Sequence, residues 1–146
     1  GQSGYLHRKL VVEQQKAVAV GGWYHSTTCD TTRALLYAVP AEGVSLEEIE
    51  KAVEQTLVDF AKEGLDEKSL ARAKTRLVAD AFYAQDSQTA MARMFGSALA
   101  VGAKVQDVLD WPSAIDAVTR EDVMAALHWL DHSKSVSGYL LNDEAA

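Results

Sequence analysis

The period of the apolar residues changes at Ala17, and that change limits what the chain can become. Before it, Leu6 and Leu10 sit at helical spacing in a segment covering residues 5–15. After it, Val18, Val20, Gly22 and Tyr24 alternate with Ala17, Ala19, Gly21 and Trp23, the two-residue repeat of a strand. Residues 27–30 read as a turn. Arg33, Leu35, Tyr37 and Val39 then alternate with Ala34, Leu36 and Ala38, a second strand that stops at Pro40. Two consecutive strands with a short polar connection pair most simply as an antiparallel hairpin.

The period returns to that of a helix beyond Gly43. Ser45 followed by Glu48 is a capping box, in which each residue satisfies a backbone N–H that the helix leaves unpaired. Leu46, Ile49, Val53, Leu57 and Phe60 follow on one side, and Gly64 ends the run. Asp66 caps the next helix, with Leu70, Ala73, Leu77 and Ala81 as its apolar positions and its end within 83–87. A third helix carries Met91, Met94, Phe95, Ala98 and Leu99, and Gly102 closes it. Residues 105–111 read as a short helical turn stopped by Pro112. Thr119 with Asp122 caps a last helix whose apolar set is Val123, Ala126, Leu127 and Leu130, and residues 135–141 are strand-like before a polar tail. Strands and helices segregated in this order predict an α+β fold: an antiparallel sheet with helices packed on one face, in a single domain over 1–146. The start Gly1-Gln2-Ser3-Gly4, without an initiating Met, reads as that of an N-terminally truncated segment.

Charge narrows the function. The formal net charge is -7, and no basic stripe is available to neutralise phosphates, which argues against nucleic acid and against a polybasic membrane-surface role. No apolar stretch is long enough for a membrane span. Cys29 is the one cysteine, so an intrachain disulfide and a cysteine-rich zinc site are both out of reach. Either the bacterial periplasm or the cytoplasm is compatible with these features.

One pattern suggests metal. His128 and His132 stand at i and i+4 in His128-Trp129-Leu130-Asp131-His132, the spacing by which two imidazoles on one helix face reach a zinc ion. Asp131 holds the place of the glutamate that serves as general base in H-x-x-E-H, and its carboxylate is one methylene shorter. A third ligand would have to come from elsewhere, and Asp143 and Glu144 in the tail are the acidic residues that follow. Val123, Ala126, Leu127 and Leu130 define the buried side of the helix and turn both histidines toward solvent. Surface histidines near a helix C-terminus are the expectation.

The run Tyr5-Leu6-His7-Arg8-Lys9-Leu10-Val11-Val12-Glu13-Gln14-Gln15-Lys16-Ala17-Val18-Ala19-Val20 is similar to the L-x-R-x-L-R-E-x-x-G-L-A-Y-x-V stretch of the insulinase, pitrilysin and mitochondrial processing peptidase relatives. Val39-Pro40-Ala41, Gly43-Val44-Ser45-Leu46-Glu47-Glu48, Gly64-Leu65-Asp66-Glu67-Lys68-Ser69-Leu70, Val118-Thr119-Arg120-Glu121-Asp122-Val123 and Ser137-Gly138-Tyr139-Leu140 extend the resemblance over nearly the whole chain. It implies a metallohydrolase-like domain from the non-catalytic, C-terminal half of such a peptidase. The expected partners are a catalytic zinc-binding domain or subunit and a peptide substrate, with zinc held in that partner and no cofactor here. Many members carry an Arg and, seven residues later, a Tyr that hold substrate; those places fall on Val11 and Val18, which offer neither charge nor hydroxyl. Arg8 lies about a helical turn away. The hairpin edge over 17–25 could accept an extended peptide by strand addition, though the resemblance favours a preceding strand there.

Overall fold

Residues 4–130 and 132–141 are described by the computed structural model, and they open on a helix that changes its pitch. Helix α1 (Tyr5–His7) runs directly into a π-helical stretch, Arg8–Glu13. The Gln14 N–H donates to the Lys9 carbonyl and the Lys16 N–H to the Leu10 carbonyl, both at 2.9 Å. The single regular helix expected over 5–15 is therefore shorter and wider, and Gln15 follows it with a φ of 52°. The Glu13 carboxylate braces the wide turn, 3.1 Å from Lys9 Nζ and 3.5 Å from Arg8 Nε. Leu10 faces inward from it and is 0% exposed.

Strands β1 (Ala17–Tyr24) and β2 (Ala34–Pro40) form the expected antiparallel hairpin. It is closed by the His25 N–H on the Arg33 carbonyl (3.1 Å) and the Ala41 N–H on the Lys16 carbonyl (2.9 Å). Between those two bonds β1 carries one residue more than β2, as a β-bulge requires. The parity of the strand changes accordingly. Ala17 is in the core and Val20 packs on the same core, an odd spacing that a regular strand would send to opposite faces.

Helix α2 (Leu46–Glu63) starts where the capping box placed it: Ser45 N–H to Glu48 Oε2 at 3.0 Å, Glu48 N–H to Ser45 Oγ at 3.2 Å. Gly64 ends it with a φ of 79°, a left-handed conformation that glycine adopts without penalty. Its inward side presents Ile49, Ala52 and Thr56; the Thr56 hydroxyl, buried, donates back to the Ala52 carbonyl at 2.6 Å. Leu10, Ala17, Ile49 and Ala52 form the core of this part, flanked by Leu6, Val11, Val20, Ala38, Val44 and Val53. α2 thus covers one face of the hairpin, the α+β arrangement read from the pattern.

The described chain gathers into two compact units. The hairpin up to Trp23 and from Ala34, with α2, belongs to the first, together with the stretch from Ala126 onward; residues 24–33 and 65–125 form the second. In the first unit, residues 135–141 have no strand ladder, contrary to expectation. A strand exists only with a partner, and this stretch is instead tied to α2: the Tyr139 hydroxyl donates to Glu50, which also accepts from Ser137.

The second unit contains α3 (Glu67–Ala84), α4 (Gln88–Ala100), α5 (Val105–Ala117) and most of α6 (Arg120–Ala126). Side-chain caps start three of them: Asp66 Oδ1 accepts from Ser69 N–H (2.8 Å), Ser87 Oγ from Ala90 N–H (3.2 Å), and Thr119 Oγ1 from Asp122 N–H (3.1 Å). α5 packs against α3 and α4 and does not stop at Pro112. Proline lacks an N–H, so the carbonyl one turn back loses its bond, but its φ is that of a helix and the packing carries α5 to Ala117. Arg120 Nε donates to the Leu65 carbonyl (2.7 Å) and Lys74 Nζ to the Asp116 carbonyl (2.8 Å), tying helix ends together.

Candidate functional site: the open face of the hairpin

The hairpin has two faces because side chains alternate across a strand. Val20 and Ala38 face the helix layer; Trp23 and Tyr37, their rings 6.5 Å apart, lie on the other side. Tyr37 can lie flat across β1 only because Gly21 has no side chain, since a Cβ there would come within 2.6 Å of the ring. The open side leaves Trp23 51%, Tyr37 48% and Val39 45% exposed, and Val18 is also exposed.

Neither strand contains a charged residue. Natural edge strands are usually protected by lysine, proline or inward-pointing charge. Here Pro40 blunts the end of β2, and β1 has no such device. Among the described residues the sheet has two strands, so each keeps one edge of backbone N–H and C=O groups without a ladder. Aromatic rings beside an open edge can take apolar side chains and the backbone of one extended segment at once.

On the helix side, a cleft of about 280 Å³ is lined by Tyr5, Leu6, Leu36, Leu57, Phe60 and Leu130. The Tyr5 ring meets Phe60 at 4.8 Å, tilted by 55°, and its hydroxyl donates to Glu63 Oε2 at 2.8 Å; burial first, then that bond, push its pKa up to about 12. His7 Nδ1 is sealed from solvent and has no hydrogen-bond partner among the described residues.

Val11 packs against the core while Val18 is exposed on β1. The structure thus sends the two positions in different directions, and neither offers a polar group. Arg8 is engaged with Glu13 and lies over the Tyr5 ring at 5.3 Å.

The histidine pair does not share a helix face. α6 ends at Ala126; His128 lies in a 3-10 turn, Leu127–Trp129, and His132 in another, His132–Lys134. Leu130, with φ -86° and ψ 53°, breaks the helix between them, so the i, i+4 geometry does not exist and Leu130 is not part of a helical apolar stripe. Both histidines are exposed, and His132 Nδ1 is 2.7 Å from Glu54 Oε1. Asp131, Asp143 and Glu144 lie outside the described residues. Among the described residues no three His, Cys, Asp or Glu side chains gather as metal ligands. Cys29 is exposed, its Sγ 3.8 Å from the Ala100 carbonyl.

Sequence patterning missed the open face, because alternation of apolar with apolar residues leaves both sides of a strand looking like core. The signal was the absence of charge in both strands. No helix among the described residues is long and apolar enough to cross a membrane.

No protein-family model matches the chain, and no curated protein matches it. Solved structures do. A chain from Bordetella pertussis Tohama I assigned as a zinc protease superposes with a TM-score of 0.81 at 18% identity, over 97% of this chain and 78% of that one. A protease from Helicobacter pylori superposes with a TM-score of 0.74, also at 18% identity, over 88% of this chain. The present chain spans only 31% of that protease. What is shared at such identity is the fold, and the chain accordingly has the α+β fold found in these protease chains.

Proposed function

We propose that the chain is an accessory, non-catalytic domain of a zinc endopeptidase, forming part of the wall of a peptide-binding chamber. The observation that carries this reading is the uncharged hairpin with Trp23, Tyr37, Val39 and Val18 open to solvent, on a fold otherwise found in protease chains. Such a surface suits an extended, unfolded segment, whose apolar side chains need cover and whose backbone needs partners. Metal chemistry belongs to a separate zinc-binding domain or subunit of the insulinase and processing-peptidase type, and no step of it runs through residues of this chain.

The experiment has two arms. Incubated with denatured protein and added zinc, the chain alone hydrolyses nothing, whereas the assembled protease loses activity to a chelator. An extended apolar peptide binds the chain, and Trp23→Ala weakens that binding about fivefold to tenfold, as loss of an aromatic anchor worth ~1 kcal/mol or somewhat more does. Chelator-insensitive proteolysis by the assembled protein, or unaltered peptide binding by Trp23→Ala, would sink the reading.

A second reading is a non-enzymatic scaffold subunit of the same fold; Val11 and Val18, which leave no polar side chain at either place, are compatible with both. An H-x-x-E-H sequence in the partner decides for the peptidase, and its absence for the scaffold.

A further inference from the structure

The backbone is most distorted beside a groove that the open face does not include. The π-helical stretch ends at Glu13, and Gln15 takes a φ of 52° in the region that disfavours side chains. Lys16 follows at once, its N–H locked on the Leu10 carbonyl and its carbonyl on the Ala41 N–H, both at 2.9 Å. A residue held in a sparsely populated conformation persists only where the surroundings over-determine it, and such strain clusters at ligand clamps. π-helical turns concentrate at functional sites for the same reason.

The distorted turn carries Lys16 to one wall of a groove of about 300 Å³ whose other wall is α2. Gln14 stands beside Lys16, and Lys51 and Gln55 face them from α2. The groove's carboxylate, Glu48, accepts from the Ser45 backbone N–H and lies below its usual pKa, first through that bond and only later through Lys16 and Lys51. No carboxylate among the described residues lies within 4.0 Å of either lysine nitrogen. The lining of the groove thus sets two ammonium groups and two amide side chains against one carboxylate, itself committed to a helix cap, while Lys51 also acts on Glu50 outside the groove.

We infer that this groove holds a carboxylate of an extended peptide, received between Lys16 and Lys51. Gln14 and Gln55 border the groove, and the strained turn is what sets Lys16 opposite α2. The inference rests on the peptide-binding reading only for the carrier of the carboxylate.

The test is a titration of the isotopically labelled chain followed by amide NMR. A terminally blocked oligo-glutamate peptide shifts Gln14, Lys16, Lys51 and Gln55 saturably, and its glutamine counterpart does not. Lys16→Gln and Lys51→Gln each weaken binding roughly twofold to fivefold, the range of one exposed ion pair, while Lys62→Gln, elsewhere on α2, leaves it unchanged. A glutamine peptide with a free C-terminus separates the two carboxylate sources: saturable binding assigns the groove to chain ends, none assigns it to acidic side chains. Inorganic phosphate competes weakly or not at all. Three results overturn the inference: no saturable shift with either carboxylate peptide, equal effects of all three lysine variants, or preference for phosphate. Trp23→Ala binds oligo-glutamate normally, so failure here and failure of the open-face reading are told apart.

Discussion

Replacing Gln15 by glycine stabilises this chain, although the change deletes a side chain and loosens the backbone. Gln15 has a φ of 52°, and its side chain is exposed. A left-handed conformation costs an L-residue about 1–2 kcal/mol, because Cβ crowds the following carbonyl oxygen. Glycine escapes that cost but loses more conformational entropy on folding, about 0.5–1 kcal/mol against alanine. The difference favours Gln15→Gly by ~0.5–1 kcal/mol, or about 1–4 °C in melting temperature for a chain of this size. Urea unfolding of a small series measures it. Gln15→Gly raises the midpoint with an unchanged slope; Gln15→Asn, whose short side chain tolerates this region, lies between; Gln15→Ala, which keeps the crowded Cβ, matches the parent or falls below it. A glycine variant no more stable than the alanine variant refutes the reasoning, because relief of the Cβ would then not exceed the entropy that glycine loses on folding. If the turn also positions Lys16, the glycine variant binds oligo-glutamate less tightly even as it folds more stably.

The other expectations concern the core and the titrating groups. Leu10→Ala costs about 3–4 kcal/mol in denaturant unfolding, since Leu10 is wholly buried and Ala17 and Ala52 beside it are too small to close the hole; exposed Val12→Ala changes stability by no more than ~0.5 kcal/mol. Ser45→Ala removes a helix cap and costs ~1 kcal/mol at neutral pH. Bonds from Ser45 to Glu48, Ser137 to Glu50, Ser69 to Asp66 and Thr119 to Asp122 hold all four carboxyls below their ordinary values of 4.5 for Glu and 3.8 for Asp. The unfolded chain therefore binds protons first, and the stability these groups contribute, complete above those values, is lost as pH falls through the lower folded ones. Urea midpoints taken on acidification decline over that window, less steeply in Ser45→Ala. Tyr5 has the opposite sign. Its contribution is complete below 10.0 and is lost as pH rises through about 12, so an ultraviolet titration has a late tyrosinate step that Tyr5→Phe removes.

Local chemistry was legible in the residues themselves. The caps at Ser45, Asp66 and Thr119, the stops at Gly64 and Gly102, and the change of period at Ala17 each depend on neighbours within about a helical turn, and each stands where the sequence put it. The elements it misjudged depend on distant partners. Pro112 opposes a helix locally, yet packing against α3 and α4 carries α5 through it. Residues 135–141 have strand composition, but Glu50 on α2 engages Ser137 and Tyr139, and no neighbour among the described residues supplies a ladder. His128 and His132 were read on one helical face, and that face ends at Ala126.

The site divides in the same way. From the sequence alone came the hairpin and the apolar character of its strands, because strand periodicity and composition are properties of a contiguous stretch; that Arg33 lies outside β2, leaving both strands uncharged, came from the structure. Which face of those strands is core was decided by the bulge between Ala17 and Val20 and by α2, which covers one side and leaves Trp23 and Tyr37 to solvent. The approach of Lys16 to Lys51 was likewise decided by tertiary structure. They lie far apart in sequence, and only the strained turn at Gln15 and the docking of α2 bring them to one groove, since such proximity is a property of packing and not of the chain.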